Sequence, residues 1–292
     1  MAEAVAAVRP ALWLIDKPAG PTSHDVVAQV RRRLGRGTKV GHTGTLDPFA
    51  TGLLVVLAGR ATRLSPYLTE LDKTYLATVR TGFTSITGDP EGPVEAAGGP
   101  ASAAALRAAL PSFLGRQLQW VPVYAAVKVD GERLYRKARR GEDVEPPQRT
   151  VEIHALRLVE DLGGGDFVVE VRCGSGTYVR QLAADLGERL GGGAYLTALR
   201  RTAVGGLSVD DAVEPDAVTP GGGADPAEGL AHLPARRLSA DEARRVRHGI
   251  AVAGGADLGE GPVVLAFEGR VIAVALPRDG RLRPAVVLED PA

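Results

Sequence analysis

Asp47 is the only carboxylate between Gly41 and Gly52, in the string Gly41-His42-Thr43-Gly44-Thr45-Leu46-Asp47-Pro48-Phe49-Ala50-Thr51-Gly52. An apolar run, Leu53 to Leu57, follows it. The glycines permit tight or left-handed backbone and close approach of another molecule. Pro48 fixes its own φ and restricts Asp47 to extended conformations. A carboxylate presented on a rigid loop beside a buried strand can attack as a nucleophile or take a proton. An isolated Asp-Pro pair most simply caps a turn, so the choice between the two readings rests on the whole string.

Other chemistries find less support. His24, His154, His232 and His248 are scattered and meet no cysteine cluster, which disfavours a zinc site. No Gly-rich segment ends in Gly-Lys-Ser/Thr, so a nucleotide P-loop is not indicated. Cys173-Gly174-Ser175 has a faint likeness to a cysteine-protease string, but a cysteine ending a strand is usually a small buried hydrophobe.

The elements that must position Asp47 are legible around it. Ala11 to Ile15 reads as a short buried strand. Ser23 reads as the N-cap of a helix with Asp25 in its first turn. Val26, Val27, Val30 and Leu34 give that helix one apolar face, and Gly35 stops it. Arg31, Arg32, Arg33, Arg36 and Lys39 crowd its end. A face matched to the helix dipole and a phosphate-contacting patch are both compatible with that cluster. Leu53 to Ala58 and Thr74 to Thr81 read as strands, Gly88 to Pro100 as a loop, and Ala101 to Leu110 as a helix. Glu132 to Arg140 is strongly basic. Val151 to Val159 and Phe167 to Cys173 read as strands, joined by a hairpin at Asp161 to Asp166. Val179, Leu182, Ala183, Leu186 and Leu190 make an amphipathic helix ending at Gly191. Glu214 to Gly229, rich in Pro, Gly and Asp, reads as a linker. A basic helix around Asp241 to His248 follows, then β-runs at Pro262 to Phe267, Arg270 to Leu276 and Pro284 to Leu288. Strands mixed irregularly with helices give an α+β catalytic domain followed by a small β-rich module.

The 292 residues suffice for one large domain and a small one, and a hydrophobic fraction of 45% supports a true core. The formal charge of zero argues against a uniformly basic nucleic-acid binder and leaves room for local patches. A single cysteine, Cys173, excludes an internal disulfide framework and fits a reducing compartment. No apolar run approaches the roughly 20 residues needed to span a bilayer, and Met1 to Pro10 lacks a secretory pattern. The expectation is a soluble cytoplasmic protein.

The Asp47 string resembles the catalytic motif of the TruB family, the tRNA pseudouridine-55 synthases. Further segments carry the same resemblance across most of the first 205 residues. They are Asp16-Lys17-Pro18 with Gly20-Pro21-Thr22-Ser23, Lys73-Thr74-Tyr75, Gly174-Ser175-Gly176-Thr177-Tyr178-Val179-Arg180, and Leu199-Arg200-Arg201-Thr202-Ala203-Val204-Gly205. Ala126-Val127-Lys128-Val129-Asp130-Gly131, with Tyr135, Ala138, Arg139 and Gly141, is similar to the family's RNA-clamping insertion. There this chain has Pro122-Val123 and Ala125-Ala126 where the family usually has Pro-Pro and Ser-Ala. Looser still, Arg247-His248-Gly249, Gly269 to Ala275 and Leu282-Arg283-Pro284 resemble a PUA-type RNA-binding module.

The resemblance implies a pseudouridine-synthase fold with a central, mostly antiparallel sheet, and a small β-rich PUA-like domain after it. The implied boundaries are 1–213 for the catalytic domain with its insertion at about 124–147, 214–230 for a linker, and 231–292 for the RNA-binding domain. It implies isomerisation of uridine 55 in the T loop of tRNA, with the base flipped out of its stack. It makes Asp47 the catalytic carboxylate, Arg180 its ion-pair partner and Tyr75 the platform on which the base stacks. Leu199 becomes an apolar wall, Lys17 a supporting residue, and His42 a residue that stacks or wedges in the vacated loop. Thr45, Lys128 and Tyr178 join the RNA-binding set. The reaction oxidises and hydrolyses nothing, so neither cofactor nor metal is expected. The expected partner is the T-arm of tRNA, with no membrane and no obligatory protein partner, and the protein is expected to be a monomer. Arg236, Arg237, Arg244, Arg245 and Arg247 are expected to reach phosphates outside the T-arm. Two rivals stand beside this reading: an RNA-guided relative acting on ribosomal RNA, and a non-catalytic RNA-binding or folding protein.

Overall fold

The computed structural model describes residues 9–124, 127–129, 132–133, 140, 146–254 and 259–289. The principal strands are β1 (Ala11–Lys17), β2 (Val40–His42), β3 (Thr51–Ala58), β4 (Lys73–Thr81), β5 (Gly115–Trp120), β6 (Gln148–Gly163), β7 (Asp166–Cys173), β8 (Ala194–Val204), β9 (Val263–Phe267), β10 (Arg270–Arg278) and β11 (Arg281–Val287). The principal helices are α1 (Ser23–Leu34), α2 (Ala103–Ala109), α3 (Val179–Leu190) and α4 (Ala240–Arg247). The chain divides into two compact units: Met1–Pro48 with Gly52–Glu70 and Ala203–Ala292, and Phe49–Thr51 with Leu71–Thr202.

In the first unit, β3 pairs antiparallel with β1 along its whole length and with β2 at Val56 to Ala58. β3 is buried from Gly52 to Ala58, which explains its unbroken apolar run. The stripe Val26, Val27, Val30 and Leu34 seats α1 on Trp13, Ile15, Leu54 and Val56. Burying each such side chain stabilises the fold by about 1.5–3 kcal/mol. The helix start is one residue earlier than expected. Thr22, with extended backbone, is the N-cap, and its hydroxyl accepts a bond from the Asp25 N–H while the Asp25 carboxylate accepts the Thr22 N–H. Ser23 cannot cap because its hydroxyl is engaged elsewhere. The 214–230 stretch, expected as a linker, lies along β1. Val213 exchanges backbone bonds with Leu14 and Asp16, and Ala224 does so with Leu12. Val218 and Leu230 are buried.

The C-terminal part of this unit is β-rich. The short strand Ala235–Arg237 lies parallel to β9, and β9, β10, β11 and Val252–Ala253 follow in antiparallel order. Ala243 and Val246 of α4 pack into its core with Val263, Leu265, Ile272 and Leu282. Arg63 donates to the Val287 carbonyl (3.2 Å), which ties the module to the turn Gly59–Leu64. Three of the arginines expected to reach phosphates are matched to carboxylates here: Arg236 to Glu242, Arg244 to Asp241, and Arg247 to Glu289. Arg245 donates to the Ala251 carbonyl.

In the second unit, β8, β4, β7, β6 and β5 lie side by side in that order. β6 and β7 form the expected hairpin, longer than anticipated at the β6 end, and β7 runs antiparallel to β4 with Tyr75 opposite Val171. β5 and β8, absent from the sequence expectation, flank this set. The Gly88 to Pro100 loop holds a short strand, Val94–Ala96, paired with Phe83–Ser85. α2 begins two residues later than expected because Ser102 caps it. α3 ends at Gly191 in left-handed backbone, as its glycine run suggests. Most of the insertion at 124–147, including Tyr135, Ala138, Arg139, Gly141 and the Lys128 side chain, lies outside the described residues.

Candidate active site

The loop that carries Asp47 is tethered on both sides of that residue. On the N-terminal side, Leu46 is buried, and both of its backbone groups bond to one hydroxyl. The Leu46 N–H donates to Ser23 Oγ (2.9 Å), and Ser23 Oγ donates to the Leu46 carbonyl (3.0 Å). On the C-terminal side, the Pro48 carbonyl accepts from Lys17 Nζ (3.1 Å) and from the Gly20 N–H (2.8 Å). Gly20 sits at φ +104°, a backbone that side chains rarely adopt. Lys17 is fully buried, with 0% exposure, and also donates to the Pro18 carbonyl (2.9 Å). A buried ammonium is costly unless hydrogen-bonded, and these two carbonyls supply partners, that of Pro48 one residue from Asp47. Asp47 itself is partly exposed between its two fixed neighbours, and Thr45 is exposed. The loop therefore carries Asp47 on a backbone with little freedom left on either side of it.

His42 stands at the other end of this loop. Its Nδ1 accepts from the Gly44 N–H (3.3 Å). The His24 ring meets it edge-on at 5.5 Å. The first unit thus carries Lys17 at the end of β1, bonded to the residue after Asp47, and His42, Thr45 and Asp47 within one short segment.

The second unit holds the other candidates. Arg180 lies in the first turn of α3, with a side chain only 5% exposed. Its Nη1 donates to the Asp89 carboxylate (3.1 Å) and to the Thr87 carbonyl (2.7 Å). Asp89 is equally buried and also accepts from Thr87 Oγ1 (2.6 Å) and the Glu91 N–H (3.1 Å). Gly88, in left-handed backbone, lets this loop press against Arg180: a Cβ there would lie 3.2 Å from the Arg180 Cβ. Asp89 was not singled out from the sequence. Its one signal is its setting, an aspartate between Gly88 and Pro90 in a segment that reads as a loop.

Gln119 is a second residue the sequence reading missed. It is buried on β5 and pairs with both backbone groups of Tyr178: Tyr178 N–H to Gln119 Oε1 (2.8 Å), and Gln119 Nε2 to the Tyr178 carbonyl (3.1 Å). Tyr178 is the N-cap of α3, so this amide fixes the helix start two residues before Arg180. The Arg149 guanidinium lies 5.5 Å from the centre of the Tyr178 ring. Tyr75 is 8% exposed on β4, and Leu199 is buried on β8. Cys173, at the end of β7, is buried, and burial pushes its thiol up to about 11, so it is a packing residue. Among the described residues, no group of three or more His, Cys, Asp or Glu is placed to hold a metal ion, and no helix is long and apolar enough to cross a membrane.

The first unit thus carries a carboxylate on a tethered loop, and the second carries a buried guanidinium held by Asp89 and Thr87. Solved structures share the fold. The archaeal box H/ACA sRNP Nop10-Cbf5 complex covers 98% of this chain and 88% of its own, at 23% identity and a TM-score of 0.73. An H/ACA RNP bound to a substrate RNA containing 2′-deoxyuridine covers 96% and 86%, at 21% identity and a TM-score of 0.72. The family model for the TruB family pseudouridylate synthase (N terminal domain) matches residues 31–179. Full-length relatives agree. The tRNA pseudouridine synthase B of Thermobifida fusca is 46% identical over 286 residues, covering 94% of this chain and 97% of its own. That of Synechococcus sp. is 44% identical over 291 residues, covering 94% and 96%. The chain belongs to the TruB family of pseudouridylate synthases.

Proposed function

We infer that this protein isomerises a uridine of tRNA to pseudouridine, and we propose uridine 55 of the T loop as its target. The observation that carries the reading is Asp47, an ionisable residue held between two tethered neighbours in a chain of this family. The relatives named as tRNA enzymes span nearly the whole chain, which favours unguided action on tRNA over guided action on ribosomal RNA.

The chemistry is a rearrangement. The bond from ribose C1′ to uracil N1 breaks, the base turns, C1′ joins C5, the C5 proton leaves, and N1 gains a proton. The flipped base stacks on Tyr75 against the wall formed by Leu199, and His42 enters the vacated space. Asp47 serves as nucleophile or base, and the Arg180 cation keeps its carboxylate ionised. Asp89 holds that guanidinium in place. Thr45, Lys128 and Tyr178 contact the RNA. The reaction runs without cofactor or metal. The protein acts in the cytoplasm as a monomer. Residues 1–213 form the catalytic domain with the clamp at about 124–147, 214–230 connect it onward, and 231–292 form a PUA-like RNA-binding domain.

The test is incubation of the pure protein with a T-arm stem-loop, followed by mapping of pseudouridine. Wild type converts the one target uridine. Asp47→Asn keeps RNA affinity but turns over at less than roughly a hundredth of the wild-type rate. Turnover above that level removes Asp47 as the essential carboxylate. Conversion only in the presence of a guide RNA overturns the tRNA reading.

A further inference from the structure

Residues 26–46 contain five cations, Arg31, Arg32, Arg33, Arg36 and Lys39, and no carboxylate, in a chain whose net charge is zero. The structure places all five at one end of α1 and in the turn after it, and all five are exposed. Matching of the helix dipole accounts for part of this, but that effect fades beyond the last turn. Arg36 and Lys39 lie past Gly35, where the helix has ended. Local hydrogen bonding accounts for another part. Arg31 donates to the Val40 carbonyl (3.3 Å) and Arg33 to the Val218 carbonyl (2.8 Å). Neither explanation covers the concentration of Arg32, Arg36 and Lys39.

Beside this cluster runs a cleft of about 530 Å³ between α1 and the 216–220 turn, lined by Arg32, Arg33 and Gln29. The one carboxylate that lines it, Asp216, accepts from Gln29 Nε2 (2.7 Å), so the arginine side of the cleft keeps its positive character. The far end of the same helix begins at Ser23, which is bonded to the Asp47 loop. Twelve residues of α-helix span about 18 Å. β2 then leads back from Lys39 to His42.

We propose that this basic end of α1 and its cleft form a phosphate-binding groove for the backbone of the substrate RNA, several nucleotides from the reacting base. The proposal rests on the RNA-modifying function inferred above. A strand entering the Asp47 loop is continuous, so a cationic surface at the other end of a helix of roughly 18 Å acts as a register mark. The contacts are to phosphate and carry no base information. Their contribution falls with salt, because each neutralised phosphate releases condensed counterions.

The experiment measures binding of whole tRNA across a potassium chloride series for wild type and the triple variant Arg32→Gln, Arg36→Gln, Lys39→Gln. The slope of log affinity against log salt becomes shallower by about 2–3, and low-salt affinity weakens at least roughly tenfold. The rate at saturating RNA falls by much less than the affinity. A charge-keeping exchange, Arg32→Lys, Arg36→Lys, Lys39→Arg, retains the slope. The single change Lys39→Gln, outside the helix, lowers the slope by about 0.7–0.9 and covers the case of a triple variant that fails to fold. An unchanged slope in a folded glutamine variant overturns the proposal. So does equal loss of affinity in the charge-keeping exchange, which would make the residues structural. If wild type binds with a steep slope yet forms no pseudouridine, the functional reading fails instead.

Discussion

The hydroxyl of Ser23 holds Leu46 by both of its backbone groups, at 2.9 and 3.0 Å, immediately before Asp47. One side chain at the start of α1 thereby sets the path of a loop 23 residues further along the chain. With Lys17 and Gly20 on Pro48, it confines Asp47 from both sides.

Ser23→Ala leaves a buried N–H and a buried carbonyl of Leu46 without their partner, a loss of about 1–3 kcal/mol in stability. The melting temperature falls, and the single-turnover rate falls more than RNA affinity does, because the loop loses its anchor and not its RNA-facing surface. A thermal melt with a single-turnover assay decides it. If both stay at wild-type values, the tether is dispensable.

Arg180 and Asp89 form a buried ion pair, and breaking such a pair from one side costs about 3–5 kcal/mol. Asp89→Asn keeps the shape and removes the charge, so the guanidinium loses its anchor and stability drops. Arg180→Lys keeps the charge but loses the planar fork, and a misplaced cation slows reaction by roughly a hundredfold. Near-normal turnover of a folded Arg180→Lys protein assigns this arginine a structural role only.

Tyr75→Phe retains the ring and binds RNA nearly as wild type, while Tyr75→Ala loses about 1–3 kcal/mol of base stacking. Binding isotherms on the stem-loop separate the two. Equal affinities for Phe and Ala variants refute the stacking role. A melt is needed beside them, because Tyr75 is also largely buried.

Glu242 tests the pH dependence of the C-terminal module. The Ser239 backbone N–H, which it accepts in a capping box, and the Arg236 guanidinium hold its carboxyl below the usual range. A depressed folded value means the stabilisation is present above the ordinary carboxylate pKa. It is lost as pH falls through the folded value. Glu242→Gln should therefore be less stable than wild type at neutral pH, with the gap closing under acid. A gap constant across that range would show that ionisation of Glu242 contributes nothing.

Much of the candidate site is legible in the sequence because its signals are local. The Asp47 string, the apolar stripe of α1 and the hairpin at Asp161 to Asp166 each depend on residues within one or two turns of chain, where spacing alone reports geometry. The end of α3 was equally legible, since Gly191 can take left-handed backbone where other residues strain. Partnerships were not legible. Arg180 meets Asp89 across 91 residues, Gln119 meets Tyr178 across 59, and Ser23 meets Leu46 across 23. Short polar side chains in loops and at edges have no periodic signature. The helix start shows the same limit: Thr22 and Ser23 are both good caps, and only the packing of the Asp47 loop against α1 engages Ser23 and leaves the cap to Thr22. The sequence by itself determined which carboxylate is presented and on what kind of loop. The tertiary structure decided what holds that loop, which acid holds Arg180, and which face of α1 carries charge beside a cleft, because each depends on groups distant in sequence being brought within hydrogen-bond reach.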